Sequence, residues 1–224
     1  METIVIDNLE KKATIPEPLN IDYINTQSKI PYGCKPSHVF QAMQDFIEFL
    51  GFINRQLNSK KMGRLETLMM PANFSSIVGE FMSTALPKYC LSLAKNNYHN
   101  GHPDLVPKNM FQDDSVQYTN IGIEIKGSRY LKSWQGHNPE EVFLMVFVFD
   151  SNVQRDKILG ILPKPFRFLM VIGAQLKKDD WQFAGRSAQS RRTITASVKE
   201  SGYKKMMNNW IYSLPSLNQT DKVR

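Results

Sequence analysis

The chain is 224 residues long, 42% hydrophobic and 22% charged, which suits a globular domain with a substantial core rather than a disordered chain. Its formal net charge of +7 and pI near 9.3 favour a polyanionic partner, nucleic acid or an anionic surface. No run of about eighteen apolar residues occurs, so no helical membrane span is expected. The segment Met1–Asp7 is too short in its apolar part and wrongly charged for a signal peptide. Cys34 and Cys90 have no paired spacing, which suggests neither zinc nor a disulfide framework and points to a reducing cytoplasm.

Residues 1–35 lack sustained periodicity and hold Pro16, Pro18, Pro31 and Gly33, which reads as an irregular arm with one short strand at Thr3–Ile6. Pro36-Ser37 opens a helix in which Val39, Phe40, Met43, Phe46, Ile47, Leu50, Ile53 and Leu57 recur at three- and four-residue steps. That stripe faces the core, or, because Phe49 and Phe52 widen it, a second subunit. Lys60–Arg64 is a basic break, either a solvated loop or a contact to phosphate. A second helix is expected from Phe74, capped by Ser75 or Ser76 and ended or bent by Pro87, with Glu80 among apolar neighbours.

The next stretch carries the chemistry. Pro103 fits the first residue of a strand, because it cannot donate to a central ladder, and it puts Asp104 directly inside. Asp113-Asp114-Ser115 reads as a hairpin turn into a second strand, Tyr118–Lys126. On that strand Glu124 and Lys126 share one face while Ile123 and Ile125 point into the core. Glu141–Phe149 and Phe166–Leu176 are nearly unbroken hydrophobe, the pattern of strands buried on both faces, joined by a turn-bearing Asp150–Pro165. The expected fold class is therefore α/β, a central mixed β-sheet flanked by helices, with an N-terminal helical annex. From Trp181 to Trp210, Arg186, Arg191, Arg192, Lys199, Lys204 and Lys205 stand against the single acid Glu200. The segment reads as a DNA contact or a solvated surface helix, with Val198, Tyr203, Met206, Met207 and Trp210 anchoring a last helix and residues 215–224 as a frayed tail.

An acid after proline, followed about twenty residues later by Glu-x-Lys on a strand, suits a metal-dependent phosphodiesterase. In-line cleavage needs a divalent cation to offset charge at phosphorus and to sharpen a water, and Mg²⁺ takes one or two carboxylates for the purpose. Asp104, Glu124 and Lys126 resemble the triad of the PD-(D/E)xK nuclease superfamily. Trp134-Gln135-Gly136-His137-Asn138-Pro139-Glu140-Glu141, Ser190-Arg191-Arg192-Thr193 and the final Gly202…Trp210-Ile211-Tyr212 resemble stretches of type II restriction endonucleases. The likeness runs from about residue 74 to 212.

The resemblance implies a Mg²⁺-dependent, sequence-specific double-stranded DNA endonuclease, acting as a homodimer on a short palindromic site. It implies Asp104, Glu124, Lys126 and the helix-borne Glu80 as catalytic residues, and Asp104, Glu124 and Ile125 at the metal. Ser128, Arg129, Gln135, His137, Asn138, Arg186, Gln189, Ser190, Arg191, Arg192 and Thr193 are the implied DNA contacts. The implied organisation is an arm and helix over 1–72, a nuclease core over 73–214 and a tail over 215–224. A repair or junction-resolving endonuclease shares the triad, and a non-catalytic DNA binder would use the three residues as a salt-bridge cluster. His102 is either a turn histidine or a hydrogen-bond partner of a carboxylate or of DNA. No Gly-rich phosphate loop or zinc-spaced histidine pair occurs.

Overall fold

The computed structural model describes residues 2–136, 138–184 and 195–220. The elements run α1 (Glu2–Ala13), α2 (Pro36–Ser59), α3 (Leu65–Leu68), α4 (Pro71–Tyr89), β1 (Leu93–Lys95), β2 (Leu105–Pro107) and β3 (Ile123–Ser128). They continue with β4 (Gln135–Gly136), β5 (Phe143–Asp150), β6 (Arg167–Gln175), β7 (Trp181–Ala184), β8 (Thr195–Val198), α5 (Glu200–Asn208), β9 (Trp210–Ser213) and α6 (Pro215–Thr220). The architecture is α/β. A mixed six-stranded sheet, ordered β1-β2-β3-β5-β6-β9, is accompanied by a three-stranded sheet ordered β4-β8-β7. Within the large sheet β3 and β5 are parallel and the other neighbours antiparallel.

The two-residue period of β5 divides the molecule into two cores. Phe143, Met145, Phe147 and Phe149 enter one, with α2 and α4; Leu144, Val146 and Val148 enter the other, with the small sheet and α5. Because Ile123 pairs with Phe143 and Glu124 with Leu144, β3 inherits this division. Ile123 and Ile125 join the helix-side core. Glu124 and Lys126 therefore stand on the other face, the one the small sheet covers.

Several expectations are corrected. The N-terminal segment forms helix α1 rather than an arm with a strand at Thr3–Ile6. Its β-branched run suggests a strand, but tertiary contacts override that propensity: Ala13 is buried and Glu10 pairs with Arg64 at 2.9 Å. The α2 helix begins at Pro36 as expected and is a wall of the main core rather than an annex, since Val39, Met43 and Phe46 lie in one cluster with Phe74, Ile125 and Phe147. Phe46 is fully buried against Phe49, Phe81, Phe166 and Phe168, Phe49 is half-buried, and Phe52 is 54% exposed. The α4 helix starts at Pro71, not at a serine cap, because proline is preorganised for the first helical position, and Pro87 is contained within its last turn. No tight hairpin joins β2 to β3. Asp113 and Asp114 adopt left-handed conformations in a longer connection, and β3 begins only at Ile123. Residues 215–220 form α6, whose Leu217 packs on the second core, rather than a frayed tail.

Arg64 is the largest surprise of the basic break. It is 2% exposed and donates to Glu10 and Glu66, to the Lys164 carbonyl at 2.8 Å and to Asn152 Oδ1 at 2.9 Å. Asn54 in turn donates to Glu66 at 3.0 Å. A buried arginine is tolerated when its fork is filled in this way, and the network ties α1, α2, α3 and the loop after β5 together.

The helix α4 approaches β3 at two glycines. A Cβ on Gly127 would lie 2.4 Å from the Ser75 carbonyl oxygen and 2.8 Å from Val78 Cβ, so only glycine allows this contact. A Cβ on Gly79 would meet Gly127 N and Ile125 O at an ordinary 3.5 and 3.6 Å. Gly127→Ala is therefore expected to destabilise by about 1–3 kcal/mol or more, as overpacking against backbone does. Gly79→Ala should be neutral or stabilise by up to about 1 kcal/mol through helix propensity. Chemical denaturation of the two variants checks this, and equal effects would contradict the close approach at Gly127.

Candidate active site

Asp104 immediately precedes β2, and β2 pairs with β3 only through Leu105 and Ile123. Beyond that pair the strands part, and the Asp104 carboxylate occupies the gap, where Oδ2 accepts the Ile125 N–H at 2.7 Å. Gly122, at φ 152, permits the strand entry: a Cβ there would collide with the Leu105 carbonyl and with Pro103. His102–Pro103 is a cis peptide bond. His102 bridges to Tyr118 and stacks on it, ring centroids 5.5 Å apart and nearly parallel at 20°.

Both Glu124 oxygens are engaged. Oε1 accepts from Lys126 Nζ at 3.1 Å, and Oε2 lies 3.1 Å from His102 Nδ1. Glu140, buried just before β5, completes the group. One ligand atom each of His102, Glu124 and Glu140 lie within 4.8 Å of one another. Asp104, Glu124, Ile125 and Lys126 are thus brought together as the sequence suggests. His102 and Glu140 join them. Adjacency to Pro103-Asp104 was the signal for His102, and its reading as a carboxylate's partner is the one the geometry matches. Glu140 had no such signal, because it lies far along the chain from Asp104 and outside any periodic run.

The charges answer one another. Burial, and next the neighbouring Glu124, push Asp104 up to about 7, against the relief of the Ile125 N–H and Lys126. Burial would also raise Glu124, but the hydrogen bond from His102 and the charge of Lys126 outweigh it and hold Glu124 at about 2. Burial would lower Lys126 and His102, yet Glu124 raises both, with Glu140 and Asp104 adding to the effect. Two carboxylates that cannot both ionise comfortably are the condition a divalent cation relieves. The carboxylate oxygens offered are the hard donors that Mg²⁺ and Mn²⁺ take.

The remaining expected residues are placed as follows. Glu80, on α4, adds its charge to the pressure on Asp104, but its side chain is 68% exposed and bound to Lys95 Nζ at 2.9 Å. Arg129 does not extend toward a phosphate. Its guanidinium is half-buried over the Phe149 ring, donates to Ser151 Oγ at 2.6 Å and to the Ser151 carbonyl, and so braces the end of β5. Ser128 is buried and exchanges hydrogen bonds with the backbone of Tyr130. Gln135 and Asn138 are exposed at and after β4. His137, Arg186, Gln189, Ser190, Arg191, Arg192 and Thr193 lie outside the described residues. Of the later cations, Lys205 is bound to Asp180 at 2.6 Å and Lys199 donates to the Asp179 carbonyl at 3.3 Å.

Compared with known proteins, the chain matches no family model, no curated protein and no solved structure. Among the described residues no helix is long and apolar enough to cross a membrane.

The Asp104 shift has a sign that can be measured. Its folded pKa, about 7, stands above the ordinary 3.8, so between these values the native state holds the proton more tightly. Stability from this group falls as pH rises through that window, and the full penalty remains above it. Glu124, lowered from 4.5 to about 2, contributes stability above the upper value that is lost as pH falls through the lower one. Asp104→Asn, measured in a chelator, should raise the melting temperature at about pH 8 and give little gain at about pH 4. A gain independent of pH would place the strain elsewhere.

Proposed function

We propose that the chain is a Mg²⁺- or Mn²⁺-dependent endonuclease of double-stranded DNA, with a core of the PD-(D/E)xK type and a restriction-like, site-specific mode of action. The observation that carries this reading is the crowding of Asp104 against Glu124, with Lys126 two residues along the same strand, on one face of a mixed sheet. A protein that only bound DNA would gain nothing by grouping buried carboxylates where a phosphate backbone must come close.

Asp104 and Glu124 would hold the cation, with the Ile125 backbone and Glu140 beside them. Bound there, a divalent metal supplies charge neutralisation at phosphorus and lowers the pKa of a water. Lys126, kept cationic by Glu124, orients the attacking water and a phosphate oxygen. His102 fixes the second oxygen of Glu124 and so the rotamer that presents the first. Gln135 and Asn138, with Arg186, Gln189, Arg191 and Arg192, supply the side-chain types that read base edges, and Ser190 and Thr193 those that hold phosphates.

Plasmid DNA incubated with the protein and Mg²⁺ or Mn²⁺ should be cut to discrete fragments, and a chelator should stop the reaction. Lys126→Ala should lose at least about a hundredfold in rate, the usual scale for a positioned acid–base or charge-stabilising group. Glu124→Gln should abolish cutting and still shift DNA in a gel. Uncut DNA with a gel shift from the wild type would favour a binding protein, and a smear would favour a non-specific nuclease.

One site per chain and two strands to cut make a C2 homodimer on a palindrome the natural arrangement. Light scattering on the DNA complex should then report about twice the 25.8 kDa chain mass for the protein component. A strict monomer that nicks one strand would favour the repair-type alternative.

A further inference from the structure

Cys34, His38 and Cys90 show no zinc spacing in the sequence, but the fold gathers them in a cluster separate from that of His102, Glu124 and Glu140. Cys34 closes a turn in which its N–H donates to the Pro31 carbonyl at 3.2 Å. His38 lies in the first turn of α2, and Cys90 follows the last residue of α4 with its N–H on the Leu86 carbonyl at 3.0 Å. The two sulfurs and one imidazole nitrogen all lie within 4.8 Å of one another.

We propose that Cys34, His38 and Cys90 bind a thiophilic divalent cation, Zn²⁺, which ties the start of α2 to the end of α4. Three observations support it beyond proximity. The turn that delivers Cys34 is built at a conformational cost, with Tyr32 at φ 58 ahead of Gly33 at φ 70, and non-glycine residues adopt that region rarely. The turn is held in place beside Cys90, where the Tyr32 carbonyl accepts from Ser92 Oγ at 2.5 Å. Burial also suits the resulting complex. Cys34 and Cys90 are 5% and 1% exposed, whereas His38 is half-buried and borders solvent.

The charge balance follows from the ligand types. Two thiols and a neutral imidazole take up Zn²⁺ with release of two protons, one from each sulfur. The product, two thiolates with one divalent cation, carries no net charge and so avoids the cost of burying an ion among apolar neighbours. The site does not depend on the nuclease reading, because none of its residues touches Asp104, Glu124 or Lys126 in the interactions described. Its mechanical consequence reaches them all the same: α4 is the helix whose Gly79 and Val78 lie against β3.

The full-length protein, purified from zinc-supplemented cells without chelator, should carry one zinc per chain by elemental analysis. Cobalt substitution should give thiolate-to-cobalt charge-transfer absorption in the near ultraviolet. That absorption should persist in Glu124→Gln and vanish in Cys34→Ser and in Cys90→Ser, and stripping the metal should lower the melting temperature. Absence of the band on cobalt titration, its survival in both cysteine variants, or a Cys34–Cys90 disulfide in the native mass map would each overturn the proposal. Should the serine variants fail to fold, the wild-type cobalt spectrum decides alone.

Discussion

The parallel register between β3 and β5 is the constraint on which the rest of the molecule depends. Every residue of β3 is paired, Ile123 with Phe143 through Ser128 with Val148, and β5 is buried on both faces. A slip of one residue would turn Glu124 and Lys126 into the aromatic core beneath α2 and α4 and drive Ile123 and Ile125 toward the small sheet. The helix-side core resists this through Gly127, where α4 lies so close that the strand has a single tolerable position. Packing therefore fixes the direction of the polar side chains. They need no contact of their own to find their face.

What the packing delivers, the electrostatics must then sustain. Glu124 lies in a poorly hydrated position and remains ionised because His102 and Lys126 each bind one of its oxygens. Among the described residues Asp104 has the Ile125 N–H as its close donor, and the neighbouring charge of Glu124 falls on it. The asymmetry divides the roles of the two carboxyls. One is held rigid and charged by its neighbours; the other is strained toward protonation, and a cation would relieve it. In the proposed endonuclease the strain at Asp104 is the local reason for metal affinity, since coordinating a divalent ion removes the repulsion that the metal-free site stores.

Sequence patterning reached the parts of this molecule that repeat with a fixed period. The α2 stripe, the two buried runs that became β5 and β6, and the alternation of β3 were legible because period and burial coincide in them. The candidate site was legible as far as Asp104, Ile125, Glu124 and Lys126, whose chain spacing survives in space. It was not legible at Glu140, which reaches the cluster only through the β3–β5 pairing, nor at Cys34 and Cys90, which a turn and a helix end bring together. Helix α1 was missed because its β-branched residues favour a strand, while its docking through Glu10 and Ala13 is invisible without Arg64. In each case a long-range contact decided the outcome.

The basic charge of the chain was the weakest guide to partners, and the arginines explain why. Arg64 and Arg129 are both cations that composition would assign to a polyanion surface, yet each fills its fork with internal acceptors. Lys164 and Arg167 are occupied with Asp150, and Lys205 with Asp180. The cations left for a phosphate backbone are therefore fewer than the net charge suggests, and their position matters more than their number. Arg186, Arg191 and Arg192 fall between Ala184 and Thr195, the paired ends of β7 and β8, and β8 in turn pairs with β4. Through Trp134, Trp181, Ala196 and Val198 this small sheet packs on the face of β5 that carries Leu144 and Val146, the register partners of Glu124 and Lys126. The strands β7 and β8, between which the most basic stretch of the sequence falls in the chain, thus pack on the same side of the large sheet as the carboxylates. For a proposed nuclease that is the useful arrangement, because the small sheet and the strand that would cut the DNA share one packed core.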